Sequence, residues 1–233
     1  MLTVPADRKE SDQRESYVVI GDIHGCARSL AALLEKLKPY EDRKFVFIGD
    51  YIDRGPDSKG VVDRVLQFAQ NHDCVLLRGN HEQMMLDSQY TGDAQLWMMN
   101  GGVTTMQSYE GAPIEVDLPP EHQKFYSNTN LYFDTPGYFF SHAGLPPDIT
   151  VEEAKGDPDY ENSFIWTRSH IGASRLKWEK PVIFGHTPVP EPVLDDLMIN
   201  IDTGCVFKGR GGMGNLTALL LPEREVIQQP GLE

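Results

Sequence analysis

The sequence predicts an α/β fold in which two sheets pack face to face with helices outside, an α/β/β/α sandwich. Three observations predict it. The first 80 residues alternate apolar strand-like runs with amphipathic helical patterns. The second half is dominated by short β-rich runs, and no stretch of linker-like composition divides the two. One domain is therefore expected over residues 16–233, behind a charged, disordered tail at 1–15.

Taken in order, Tyr17-Val18-Val19-Ile20 reads as a buried strand ending in the turn Gly21-Asp22-Ile23-His24-Gly25. Leu30, Leu33, Leu34 and Leu37 then recur at helical spacing, closed by Pro39. Phe45-Val46-Phe47-Ile48 is a second strand, ending in Gly49-Asp50-Tyr51-Ile52-Asp53-Arg54-Gly55. Val61, Val62, Val65, Leu66 and Ala69 mark a second helix, with Ser58 or Asp57 as its N-cap. Cys74-Val75-Leu76-Leu77-Arg78 is a third strand, followed by Gly79-Asn80-His81-Glu82. This β-α-β-α-β order implies a parallel sheet with right-handed crossovers. A helical pattern runs from 82 to about 99, with Met84, Met85, Leu86, Leu96, Trp97 and Met98 as packing residues, until Asn100-Gly101-Gly102 stops it. Residues 110–124 read as a loop or short helical cap, a candidate lid. A hairpin follows at 130–133 and 138–141 around Pro136-Gly137. Further strands are expected at 181–184, 197–201, 216–221 and 226–229, with the glycine-rich stretch 209–214 as a loop inside the last hairpin.

Composition narrows the function. The chain of 233 residues has a net charge of −14, which disfavours nucleic acid as a partner, since phosphate backbones select basic faces. No apolar run approaches the ~18 residues of a membrane span, and the N-terminal stretch lacks a signal-peptide pattern, so no membrane association and a cytoplasmic location are expected. The three cysteines are unclustered and read as small buried residues.

The chemistry lies at the strand ends. Asp22, Asp50 and Asn80 follow successive strands at separations of 28 and 30 residues, and ligands of parallel sheets gather at such carboxyl ends. The β-rich half repeats the grammar with His142, in Ser141-His142-Ala143-Gly144, and His186, in Gly185-His186-Thr187-Pro188. A lone strand-end histidine is more often structural, but four of the seven histidines fall in five turns built alike. His72, His122 and His170 lack that setting and are expected on the surface. Asp, Asn and His are hard and borderline donors, too many for one tetrahedral zinc and suited to a pair of octahedral Mn²⁺, Fe or Zn²⁺ ions sharing one carboxylate. Asp50, central among the strands, is the natural bridge.

Gly-Asp-Ile-His-Gly, Gly-Asp-Tyr-Ile-Asp-Arg-Gly, Leu-Arg-Gly-Asn-His-Glu, Ser-His-Ala-Gly and Gly-His-Thr-Pro together resemble the dinuclear metallophosphatases of the phosphoprotein phosphatase family, above all the small bacterial and phage λ-type serine/threonine phosphatases. The resemblance spans residues 17–222 and implies the metallophosphoesterase sandwich. By position it implies Asp22 and His24 on a first metal ion with Asp50 bridging, and Asn80, His142 and His186 completing a second. It implies His81 as general acid oriented by Asp53, and Arg54, Arg168 and Arg78 on the phosphate oxygens. Two divalent ions, Mn²⁺ foremost, would then support in-line attack of a bridging hydroxide on a phosphomonoester.

The expected substrates are phosphorylated proteins or peptides, turned over by a monomer. The alternative is a symmetrical bis(5′-nucleosyl)-tetraphosphatase acting on dinucleoside polyphosphates such as diadenosine tetraphosphate, which the Asn100-Gly101-Gly102 segment also resembles. A different class, a catalytically silent metal-binding scaffold, is disfavoured because every ligand and the acid are intact. Lys208 and Arg210, in an expanded glycine turn, could meet an anionic substrate but read first as a solvated tip.

Overall fold

A computed structural model describes residues 15–110 and 118–233. Residues 1–14 of the expected tail and 111–117 of the candidate lid therefore lie outside the described residues. In chain order the elements are β1 Tyr17–Ile20, α1 Ala27–Leu37, β2 Lys44–Phe47, α2 Ser58–Ala69, β3 Cys74–Leu76, α3 Asn80–Thr91, α4 Gln95–Trp97, α5 Val103–Ser108 and α6 Pro120–Ser127. Then come β4 Tyr132–Asp134, β5 Phe139–Ser141, α7 Val151–Gly156, α8 Ser163–Trp166, β6 Val182–Phe184, β7 Val193–Leu194, β8 Met198–Asn200, β9 Asn215–Leu221 and β10 Glu225–Pro230.

They form two five-stranded mixed sheets, ordered β10-β9-β1-β2-β3 and β4-β5-β6-β8-β7. In the first, β1, β2 and β3 are parallel. In the second, β5, β6 and β8 are parallel, flanked by the antiparallel β4 and β7. Successive side chains of a strand face opposite ways, and that alternation sorts the core into layers. Val18, Ile20, Phe45 and Phe47 meet Leu30, Leu33, Val61 and Val65 of the outer helices. Their neighbours Val19, Val46 and Ile48 meet Phe140, Ile183 and Ile199 of the opposite sheet. Val182 and Phe184 turn to Val151, Ala154 and Phe164 of α7 and α8. The α/β/β/α sandwich is as expected, and it sets the parallel strand ends of both sheets at one rim.

Four details depart from the sequence reading. The helix from 82 is broken: α3 begins at Asn80 and stops at Gly92, whose φ of 74° suits glycine. The Asn100-Gly101-Gly102 segment is a π-helical kink joining α4 to α5, not a stop. The glycine-rich stretch 209–214 lies before β9, on the crossover from the second sheet to the first, and not inside the β9–β10 hairpin. β7, only two residues long, is too short for any periodicity to reveal. Of the two caps offered for α2, Asp57 serves, accepting a hydrogen bond from the Gly60 N–H at 2.8 Å, as the sequence allowed.

Of the three histidines expected on the surface, His122 and His170 are buried and His72 is half-buried. His72 stacks on Phe68 with ring centroids 3.8 Å apart. His122 is buried between the Tyr109 hydroxyl and the Asp63 carboxylate, at 2.7 and 2.9 Å. His170 is fully buried against Trp178 and Phe184. Neither of its ring nitrogens has a hydrogen bond of normal geometry. Burial pulls its pKa down to about 4, weakly opposed by the Leu145 backbone. A depressed histidine contributes stability that is present above the unfolded value, ~6.5, and is lost as pH falls towards 4. His170→Leu is therefore expected to blunt acid destabilisation. Between pH 7 and 4.5 the wild type should lose roughly 2–3 kcal/mol more than the variant, read from denaturant midpoints at the two pH values. Equal losses would show that His170 is already protonated in the fold.

Candidate active site

Each turn predicted to carry chemistry leaves the carboxyl end of a strand, and the two sheets bring those ends together. Asp22 and His24 follow β1, Asp50 follows β2, Asn80 opens α3 after β3, His142 follows β5 and His186 follows β6. The backbone is unusual there. Seven non-glycine residues among those described have positive φ, and five of them are His24, Asp50, Asp53, Arg54 and His186. Left-handed backbone costs free energy for L-residues and concentrates at functional sites. Glycines make the close approach possible: a Cβ at Gly185 would collide with Asp22 Oδ1, and one at Gly79 with the Asp50 carboxylate.

Asp50 is the hub. Its Oδ2 lies 3.4 Å from both His24 Nε2 and His142 Nε2 and 4.0 Å from His81 Nε2, while Oδ1 accepts the His81 backbone N–H. His24 Nδ1 donates to Ile52 O and His142 Nδ1 to Ile48 O, at 2.8 and 2.9 Å. Both rings thus present Nε2 to the centre with tautomer and orientation fixed by a carbonyl behind, the arrangement that supports metal-ligating histidines. Asn80 Oδ1 sits 2.9 Å from His186 Nδ1 and 3.1 Å from His142 Nε2. Asp22 Oδ2 accepts the His186 N–H at 3.0 Å. Two groupings of donor atoms converge, His24-Asp50-His81 and Asp50-His142-His186.

Electrostatics shows what the cluster wants. Burial, reinforced by Asp202 and Asp50, pushes Asp22 well above the carboxylate range. Burial alone would raise Asp50 too, but His142, His81 and His24 hold it well below. Burial lowers His24 far below the usual imidazole value and carries His186 down to about 2, helped by His142. Asp22 Oδ1 and His186 Nε2 are buried without a hydrogen-bond partner, which is costly in an apolar interior. Crowded carboxylates, inward-facing imidazole nitrogens and orphaned polar atoms are the surroundings a divalent cation relieves, and oxygen with imidazole nitrogen is a fitting donor set.

His81 stands beside the cluster, its Nδ1 donating to Asp53 Oδ2 at 2.6 Å. Asp53 is completely buried and also accepts from Thr105 Oγ1 at 2.6 Å and from Trp97 Nε1 at 2.9 Å. Arg54 Nη1 contacts His24 Nε2 at 2.5 Å, and Arg168 Nη2 donates to His186 O at 3.2 Å. Both guanidiniums therefore rim the cluster on an exposed side. Arg78 is placed elsewhere. Its guanidinium is spent on Thr129 Oγ1, Gln83 Oε1 and the carbonyls of Tyr126, Ser127 and Thr129, where it anchors the approach to β4.

Four contributors escaped the sequence reading. Asp202 follows β8, is buried, and is lifted to about 6 by burial and then Asp50. Glu82 was noted in its motif without a role. Its carboxylate accepts the backbone N–H groups of Asp50, Tyr51 and Gly79 at 2.8–2.9 Å, splinting two of the turns together. Trp97, expected as ordinary packing, and Thr105, which the sequence reading does not single out, hold Asp53. Among the described residues, no helix is long and apolar enough to cross a membrane.

A family model described as calcineurin-like phosphoesterase matches residues 16–209. The chain is 33% identical to an asymmetrical bis(5′-nucleosyl)-tetraphosphatase, PrpE, of Anoxybacillus flavithermus, over 92% of this chain and 94% of that one. It is 31% identical to the protein of the same name from a Geobacillus species, over 91% and 93%. Among solved structures, one provisionally assigned as a diadenosine tetraphosphatase superposes with a TM-score of 0.68 at 22% identity, covering 95% of this chain and 96% of that one. A serine/threonine phosphatase of Saccharomyces cerevisiae superposes with a TM-score of 0.63 at 15% identity, covering 96% and 82%. At those identities the structural likeness speaks to the fold.

Proposed function

The chain belongs to the calcineurin-like phosphoesterase family, and from that premise we propose that it hydrolyses dinucleoside polyphosphates, splitting a tetraphosphate asymmetrically into a nucleoside triphosphate and a monophosphate. The hydrolase reading is carried by one observation: Asp50 faces the inward Nε2 atoms of His24 and His142, each held from behind by a backbone carbonyl. The nucleotide substrate is taken from relatives that align over nine-tenths of both chains.

Asp22, His24 and Asp50 would hold one divalent ion, and Asp50, Asn80, His142 and His186 a second. Bound there, Mn²⁺, Fe or Zn²⁺ supplies charge neutralisation at the phosphoryl oxygens and a lowered pKa for a water nucleophile. The remaining work falls to the chain's own groups. Arg54, beside His24, and Arg168, beside His186, bind the phosphate oxygens with charge-assisted hydrogen bonds. Asp53 accepts the Nδ1 proton of His81, which leaves Nε2 facing the centre. In the imidazolium form that Nε2–H is the proton available to the departing oxygen. Trp97 and Thr105 keep Asp53 aligned.

Trp97→Phe tests that alignment. It preserves the buried ring but removes one donor to Asp53, so kcat should fall by about 10-fold with KM little changed, as for an outer-shell partner. A rise in KM with kcat intact would assign Trp97 to substrate contact instead.

A second reading, a serine/threonine protein phosphatase, draws on the His81–Asp53 pair, since a built proton donor matters most for a poor alkoxide leaving group. The two are separated by following nucleotide products from diadenosine tetraphosphate and inorganic phosphate from a phosphoserine peptide side by side, with Mn²⁺ and with EDTA. Nucleotide turnover exceeding peptide turnover, with equimolar ATP and AMP, is the expected result. A peptide preference would reverse the assignment, and two ADP per tetraphosphate would make the cleavage symmetrical. EDTA should silence both substrates.

A further inference from the structure

One segment remains without a role, the expanded glycine turn with Lys208 and Arg210. The short 3₁₀ turn Cys205–Phe207 at the end of the β8 crossover sets it beside Arg54 and the π-kink. Between them lies a hollow of about 420 Å³, whose walls include Arg54, Met99, Asn100, Phe207 and Arg210. That volume falls within the ~300–1,000 Å³ of small-molecule sites.

The lining is chemically selective. Two guanidiniums and no carboxylate face the hollow, in a chain of net charge −14. Neither arginine has a carboxylate partner in a salt bridge among the described residues. Between them stands the Phe207 ring, with Arg54 Cζ 5.5 Å and Arg210 Cζ 6.0 Å from its centroid. Met99 is 78% exposed at the lip, an apolar side chain with nothing covering it. Arg54 also touches His24 Nε2, so the hollow borders the candidate metal cluster through that guanidinium. Cation, flat ring and bare apolar lip in sequence match a ligand with charge at one end and an aromatic base at the other.

Resting on the dinucleotide reading above, we propose that this hollow is the subsite for the nucleoside phosphate beyond the scissile anhydride. Arg54 bridges the phosphate under attack and the next one. Arg210 neutralises the phosphates after it, and the base lies against Phe207 and Met99. A phosphopeptide could use the arginines, but it offers no base for the Phe207–Met99 shelf.

The test is calorimetric binding of a methylene-bridged diadenosine tetraphosphate analogue and, separately, of inorganic phosphate to the full-length Mn²⁺-loaded chain. Phe207→Ala and Arg210→Ala should each raise the Kd of the analogue about 10-fold, the scale of a lost stacking or charged contact. Phosphate binding should shift much less. Arg210→Lys should recover part of the loss, because it keeps the charge without the planar fork, and circular dichroism should show each variant folded. Wild-type affinity for the analogue in both alanine variants would overturn the subsite, as would equal weakening of analogue and phosphate. The substrate reading can fail separately. If the wild type does not turn over diadenosine tetraphosphate yet Phe207→Ala weakens the analogue, the nucleotide site stands and that reading falls. If turnover is present and the alanine variants bind normally, the reading stands and the subsite falls.

Discussion

Replacing His81 with asparagine is expected to lower kcat on a substrate with a poor leaving group by about 10²–10⁴, the usual contribution of a general acid. The proton of the Nε2–H matters in proportion to the basicity of the departing oxygen. A serine alkoxide is about as basic as hydroxide, whose conjugate acid titrates near ~15.7, whereas a phosphate oxygen titrates near ~6. The same variant should therefore lose far less on diadenosine tetraphosphate than on a phosphoserine peptide. Asparagine leaves the Asp53–Trp97–Thr105 network in place, so the fold should survive. Metal content must be measured in parallel, because His81 Nε2 is only 4.0 Å from Asp50 Oδ2. Equal losses on both substrates, accompanied by loss of metal, would make His81 a ligand and not an acid.

Asp50→Asn should have the other large effect, on metal occupancy. The carboxylate is shared by both donor groups and is held ionised by three imidazoles against the cost of burial. Asparagine is nearly isosteric and tolerates the φ of 51° at this position. It also keeps an acceptor for the His81 N–H. What it removes is the negative charge between the two groups. Metal affinity should drop by more than the ~10–100-fold typical of losing an outer-shell partner, leaving fewer than two ions per chain at micromolar metal. Thermal unfolding provides a second readout, since a ligand that binds only the native state raises Tm. Added Mn²⁺ should raise the Tm of the wild type and leave that of Asp50→Asn nearly unchanged. Two tightly held ions in the variant would remove Asp50 from the bridging position.

Much of this site could be read from the chain because its grammar is local. Strand periodicity sets the direction of each buried run, and a glycine-bounded polar turn at its carboxyl end marks where a ligand can reach. Asp22, His24, Asp50, Asn80, His142 and His186 all obey that pattern, and the fold gathers them. Asp202 obeys it too, in Ile201-Asp202-Thr203-Gly204 after β8, and its strand-end position was the available signal. The contributors that local pattern does not reveal act across the fold. Glu82 splints a turn 31 and 32 residues away, and Trp97 and Thr105 reach Asp53 from 44 and 52 residues along the chain. Arg78 shows the converse, a side chain whose motif fits but whose donors are consumed by carbonyls near α6. His122 and His170 are buried by neighbours distant in sequence, and a single histidine carries no periodicity that would betray its burial.

The most direct measurement is phosphate-ester turnover as a function of bound metal, with EDTA-stripped protein titrated with Mn²⁺ while ions per chain are counted. Activity should be absent in the stripped protein and rise to a plateau at two ions per chain, returning with the same stoichiometry after a second cycle of stripping and loading. Full turnover in the stripped protein, or a plateau reached with the six strand-end residues binding no metal, would contradict a metal-dependent site built on Asp50.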